Sequence, residues 1–113
     1  MTSFLSLVPS TDMTQIHEWK GATGRRYCFQ VHALPMRKPV TQPGVYLFCR
    51  QTAQGWQSLD IGQADNLTEA CAATPLRRGA ETAGATHLHV HIRLAGLDVR
   101  VEEEADLRAA LFP

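Results

Sequence analysis

Three histidines alternate along one short stretch, His87, His89 and His91. On an extended chain, residues two apart point to the same side. Two such imidazoles with one further ligand can hold zinc. The full row spans about 13 Å at the strand rise, too far for all three to share one ion, and no third ligand is marked by the sequence. The row therefore reads as one face of a sheet, solvated or covered by a helix, whose imidazoles titrate near neutral pH. A second set, Trp19, Arg25, Arg26 and Lys38 with Arg37, interleaves cations with an indole as a nucleic-acid patch would. A solvated hairpin and linker would carry the same residues. A third set combines the phenol of Tyr46 with carboxylates at Asp60 and Glu104. Alone, each has a structural explanation. Tyr46 can bury its ring and wet its hydroxyl, and Glu104 stands four residues before Arg108, the spacing of a helical ion pair. Asp60 and Asp65 suit a strand end and a helix N-cap. The run Glu102-Glu103-Glu104 suits the positive end of a helix dipole.

The elements that must position these groups follow from hydrophobic period and punctuation. Residues 1–14 carry little periodicity and read as an extended arm. Ile16 to Lys20 is a strand, Gly21 to Gly24 a turn, and Arg25 to Ala33 a half-buried strand with Tyr27, Phe29, Val31 and Ala33 on one face. Residues 34–43 hold three prolines and form a linker. Gly44 to Arg50 is the most apolar stretch and a central strand, with Pro43 just outside it. Trp56 to Ile61 returns as its partner, ended by Gly62. Asn66 offers an N-cap to a helix from Leu67, and Leu76 to Ala83 forms a second helix bounded by Gly84. Thr86 to Leu94 alternates strictly as a strand. Glu102 to Phe112 is helical by composition. Strands followed by helices on a small mixed or antiparallel sheet give an α+β sandwich of two or three layers.

Composition sets outer bounds. At 113 residues, 44% hydrophobic, the chain makes one domain and is too apolar to be disordered. No apolar run approaches the roughly 20 residues of a membrane span, and the N-terminus lacks the basic start of a secretory signal. Cys28, Cys49 and Cys71 are odd in number and widely spaced, which points to reduced thiols packed as small core hydrophobes in a cytoplasmic setting. The net charge is zero, but residues 1–43 carry +3 and residues 81–113 carry −3. Strong indiscriminate binding to phosphate backbones needs a larger basic excess.

Four short motifs, in order, carry a family resemblance. They are Gly44-Val45-Tyr46 on the first apolar strand, Asp60-Ile61-Gly62 ending its partner, Asn66-Leu67 opening a helix, and Glu104 nine residues ahead of Pro113. Residues 43–113 resemble the GIY-YIG nuclease superfamily, which includes homing endonucleases and the first-incision subunit of nucleotide excision repair. The segment from Gly84 to His91 and the hairpin from Trp19 to Tyr27 are also similar to small bacterial and phage proteins with this domain. The resemblance divides the chain into an arm (1–14), a β-hairpin extension with its proline-rich linker (15–42), and a GIY-YIG-like domain (43–113).

In such a family a tyrosine or a water activates the nucleophile. A glutamate holds one divalent metal, and an arginine on the first helix stabilises developing charge. Tyr46 and Glu104 match that set. Asp60 replaces the second tyrosine, Ala70 stands where the arginine is expected, and no asparagine follows Pro113. Arg77 or Arg78 could reach in from the second helix. A carboxylate beside a scissile phosphate is repulsive unless a metal absorbs it, and a lost arginine removes a large share of phosphoryl-transfer catalysis. The resemblance therefore implies a catalytically degenerate binding module for nucleic acid or protein, with no membrane partner. Its alternative is a DNA endonuclease in which Asp60 and Glu104 hold Mg²⁺ or Mn²⁺ and Tyr46 is the base. A third outcome is an inhibitor or interaction protein that works through its sheet edge or hairpin.

Overall fold

The computed structural model describes residues 15–72 and 74–113. The arm expected over residues 1–14 lies outside the described residues. The chain forms an α+β domain built on one antiparallel sheet. Its elements are β1 (Gln15–Lys20), β2 (Arg26–Ala33), β3 (Gly44–Thr52), β4 (Gly55–Ala64), α1 (Leu67–Ala72), α2 (Thr74–Thr82), β5 (His87–Ile92) and α3 (Leu97–Leu111). The strand order is β1-β2-β5-β3-β4, with every neighbouring pair antiparallel. The hairpin β1–β2 is continuous with the rest of the sheet, because β2 pairs with β5 from Gln30 opposite Val90 to Ala33 opposite His87.

Alternation along the strands makes two cores. On one face Tyr46, Phe48, Leu88 and Val90 pack against Leu67 and Cys71 of α1 and Ala80 of α2. On the other, Tyr27, Phe29, Val45, Leu47 and Ile61 pack against Leu107 of α3. The six residues Gly44 to Cys49 are all buried, as a strand covered on both faces requires. Helix α1 is capped as expected, with the Glu69 N–H donating to the Asn66 side chain at 2.9 Å.

Two boundary differences from the sequence reading bear on the site. Strand β4 does not stop at Gly62 but runs to Ala64, because β3 begins at Gly44 and its ladder pairs Gly44 with Ala64. Helix α3 starts at Leu97, five residues earlier than composition indicates. Its first turns contain Val99 and Val101, β-branched residues with weak helix propensity, and Gly96 provides no side-chain cap. Arg100 holds this end instead. It pairs with Asp65 and donates to Gln63 at 3.0 Å and to the Ala95 carbonyl at 2.9 Å. The acidic run Glu102–Glu104 therefore lies beyond the first turn, where Asp98 is the acid that gains from the dipole.

Candidate functional site

Tyr46 and Gly62 are direct cross-strand partners in the β3–β4 hairpin, and Phe48 faces Asp60 one pair further on. Tyr46, Phe48, Asp60 and Gly62 thus share the face covered by α1 and α2. The Tyr46 hydroxyl lies over the Gly62 Cα so closely that a Cβ there would collide with it. Helix α3, packed on the other face of the sheet, brings its own groups to β4. Arg108 forms an ion pair with Glu104 one turn earlier and donates to the Ile61 carbonyl of β4 at 3.0 Å. Asp60 accepts the Ile61 N–H at 2.9 Å. Ile61 is therefore gripped on both sides, its N–H by Asp60 and its carbonyl by Arg108.

The electrostatics agree with this convergence. Burial pushes the Tyr46 phenol up to about 12, and Cys71, Asp60 and Glu104 push it the same way while Arg108 opposes them. Burial, then Asp60, likewise pushes the Cys71 thiol up to about 12. Tyr46 and Glu104, far apart in sequence, act on one another across the site. A phenol at about 12 is a poor base at neutral pH. Glu104 already has a cationic partner, and the charges of Asp60, Glu104 and Arg108 leave one net negative charge.

The cation at Tyr46 comes from α3, as Arg108, and not from α2. Arg77 is paired with Glu81 at 3.2 Å and borders a mostly apolar cavity of about 140 Å³ with Phe48, Cys71 and Leu88. Arg78 is exposed on α2. Only the i, i+4 spacing of Glu104 and Arg108 marked this pair in the sequence, and nothing there marked Cys71 as part of the site.

The residues proposed as a nucleic-acid patch are not gathered into one surface. The Trp19 indole turns inward and donates to His89 Nδ1 at 2.9 Å. Arg25 is bound to Glu103 at 2.9 Å and stacks over Tyr27 at 5.0 Å from the ring centroid. Arg26 lies on the opposite side of β2 and pairs with Glu18 at 3.5 Å. Lys38 sits in the 34–43 linker, where its charge helps lower the His32 pKa after burial.

The histidine row is covered, and it is not uniform. His89 is fully buried and pushed down to about 4 by burial and by His17, His87 and His32. It does not titrate near neutral pH as the alternating pattern implied. Trp19 donates to its Nδ1, so the neutral ring carries its proton on Nε2, which is buried without a hydrogen-bond partner. A metal ligand would need that nitrogen's lone pair, so the ring's bonding opposes zinc there. His91 Nδ1 meets the Cys28 carbonyl at 2.9 Å, and its Nε2 lies 3.5 Å from Glu103. Among the described residues, no three His, Cys, Asp or Glu side chains are grouped to hold a metal ion. Of the cysteines, Cys49 and Cys71 are buried as expected, whereas Cys28 is exposed on the outward side of β2.

Glu103, read in the sequence only as part of an acidic run at a helix start, has a role that reading did not show. Only 1% exposed, it receives Arg25 at 2.9 Å and Arg93 Nε at 3.0 Å on the same oxygen. Three residues on, Asp106 accepts the Tyr27 hydroxyl at 2.8 Å and the Thr23 N–H at 2.9 Å. These contacts fix α3 against the β1–β2 hairpin and thereby set which way Glu104 and Arg108 point. The helix shows almost no segregation of apolar from polar positions, so the sequence gives no sign of which acid is buried.

Comparison with known proteins finds no matching family model, no matching curated protein and no matching solved structure. Among the described residues, no helix is long and apolar enough to cross a membrane.

Proposed function

We propose that this chain is a non-cleaving binding domain of GIY-YIG-like descent whose partner is a protein. The observation that carries this reading is the clamp Glu104–Arg108–Ile61 carbonyl beside Tyr46. It occupies the helix carboxylate that a nuclease would give to its metal, and it fastens Arg108 to the backbone. The site keeps a net negative charge, and Arg25 and Arg26 are each paired with an acid. With Arg25 and Arg26 paired, the expected phosphate patch is weakened, so a protein surface fits better. Three unpaired thiols agree with a reducing, cytoplasmic setting. The test is a labelled-duplex gel shift at low and physiological salt. The expected result is no shift beyond weak nonspecific binding. A tight, salt-dependent complex would refute a protein-only partnership.

One observation favours the endonuclease alternative. Tyr46 feels the charges of both Asp60 and Glu104, and a divalent ion held by these carboxylates would need Glu104 to exchange Arg108 for the metal. If Mn²⁺ binds, it will broaden the NMR signals of Ile61 and Glu104 selectively at sub-stoichiometric metal. On the binding-domain reading, broadening stays weak and scattered over exposed carboxylates.

A further inference from the structure

The first half of α3 turns an apolar stripe to solvent. Leu97 and Val101 stand one turn apart, 54% and 49% exposed, and Leu94 in the turn just before the helix is 74% exposed. Together with Ile16 on β1, these are the large hydrophobic side chains left exposed among the described residues. Lone exposed apolar residues need no explanation, but neighbours that line one helical stripe mark a contact surface.

The charges beside the stripe say what should cover it. Asp98 and Glu102 follow Leu97 and Val101 by one residue each and are exposed. Neither takes part in an ion pair or hydrogen bond with a described residue. The arginines of this region are already committed, Arg93 to Glu103, Arg100 to Asp65 and Arg108 to Glu104. Asp98 gains from the helix dipole in the first turn, but Glu102 lies beyond it and draws no such benefit. The stripe is thus an apolar surface edged by unneutralised carboxylates.

We infer that this face of α3 docks a polypeptide segment that presents apolar anchor side chains flanked by lysine or arginine. Leu94, Leu97 and Val101 take the anchors, and Asp98 and Glu102 meet the cations. The surface adjoins the Tyr46 site, since Glu104 and Arg108 continue the same helical stripe, yet it does not depend on that site's chemistry.

The test titrates the isotope-labelled full chain with two synthetic amphipathic helices. They share one leucine face, and their polar positions are all lysine in one and all glutamate in the other. The lysine peptide is expected to shift the amides of residues 94–102 and to bind about tenfold or more tightly than the glutamate peptide. Leu97→Ser with Val101→Ser should cost about tenfold in affinity, and Asp98→Asn with Glu102→Gln should lower both the affinity and its salt dependence. Leu94→Ser, outside the helix, supplies a variant that leaves the helix untouched if the double change disturbs folding. Equal binding of the two peptides, shifts centred on another surface, or no binding of either would overturn the proposal. So would sedimentation showing that this face pairs two copies of the chain. DNA binding or cleavage at Tyr46 would leave the proposal standing, so the two can fail separately.

Discussion

The Tyr46 hydroxyl rests over the Cα of Gly62, its direct cross-strand partner, with no room between them for a methyl group. This contact sets the depth of the candidate site. Gly62 is needed for space and not for backbone conformation, since it is not among the glycines with positive φ. Gly62→Ala must displace the Tyr46 ring from its core and is expected to destabilise the fold by about 1–3 kcal/mol. In a Tyr46→Ala background the same change should cost little, because the obstructing ring is gone. Denaturant unfolding of the four variants checks the coupling, and additive costs would contradict it.

Glu103 should be the most sensitive carboxylate in the chain. It is buried with Arg25 and Arg93 on one oxygen, so removing it leaves two guanidinium groups short of their partner. Glu103→Ala is expected to cost about 1.5–3 kcal/mol. Arg25→Ala, with its side chain half-exposed, should cost about 1 kcal/mol or less. Equilibrium unfolding in urea separates the two, and comparable losses would show that α3 is held some other way.

The chain should lose stability in mild acid. The folded-state pKa of His89, about 4, lies below its ordinary value of 6.5. Its contribution is therefore complete above pH 6.5 and is lost as pH falls from 6.5 towards 4. The loss is on the order of 3 kcal/mol. Burial lowers His17, His32 and His87 in the same direction. Urea midpoints measured across this range should fall steadily, and His89→Leu should flatten the slope. A profile flat from pH 6.5 to 4 would contradict the burial of this ring.

Both tyrosines should resist ionisation. Tyr46 and Tyr27 are each pushed up to about 12, first by burial and then by neighbouring acids, among them Asp106 for Tyr27. Raised pKa values leave their stabilisation intact below pH 10 and remove it between 10 and about 12. Phenolate absorbance should stay low through pH 10 while the chain is folded and then rise together with unfolding. A free titration at pH 10 would mean that the Tyr46 hydroxyl is open to water.

Much of this architecture was legible from alternation alone. The strict period of Thr86 to Leu94 and the apolar run at Gly44 to Arg50 mark β5 and β3, because burial on one or two faces leaves that imprint directly. The start of α3 was hidden because Val99 and Val101 imitate a strand and the stabilising contacts of Arg100 come from Gln63 and Asp65. At the site, Tyr46, Asp60 and Glu104 could be picked out by motif order. The i, i+4 spacing marked Arg108 as the partner of Glu104 but not its bond to the Ile61 carbonyl, which depends on which side of α3 meets β4. That rotation is fixed by Glu103 and Asp106 docking on Arg25, Thr23 and Tyr27, pairings some 80 residues apart that no local pattern encodes.

The claim that Arg108 has taken Glu104 out of service is tested most directly by cleavage. Supercoiled plasmid is incubated with the purified chain and Mn²⁺, beside Glu104→Ala and Tyr46→Phe. The expected outcome is no nicking above the metal-only background for any of the three. Nicking by the wild-type chain that both substitutions abolish would contradict the account and establish a metal-dependent endonuclease at this site.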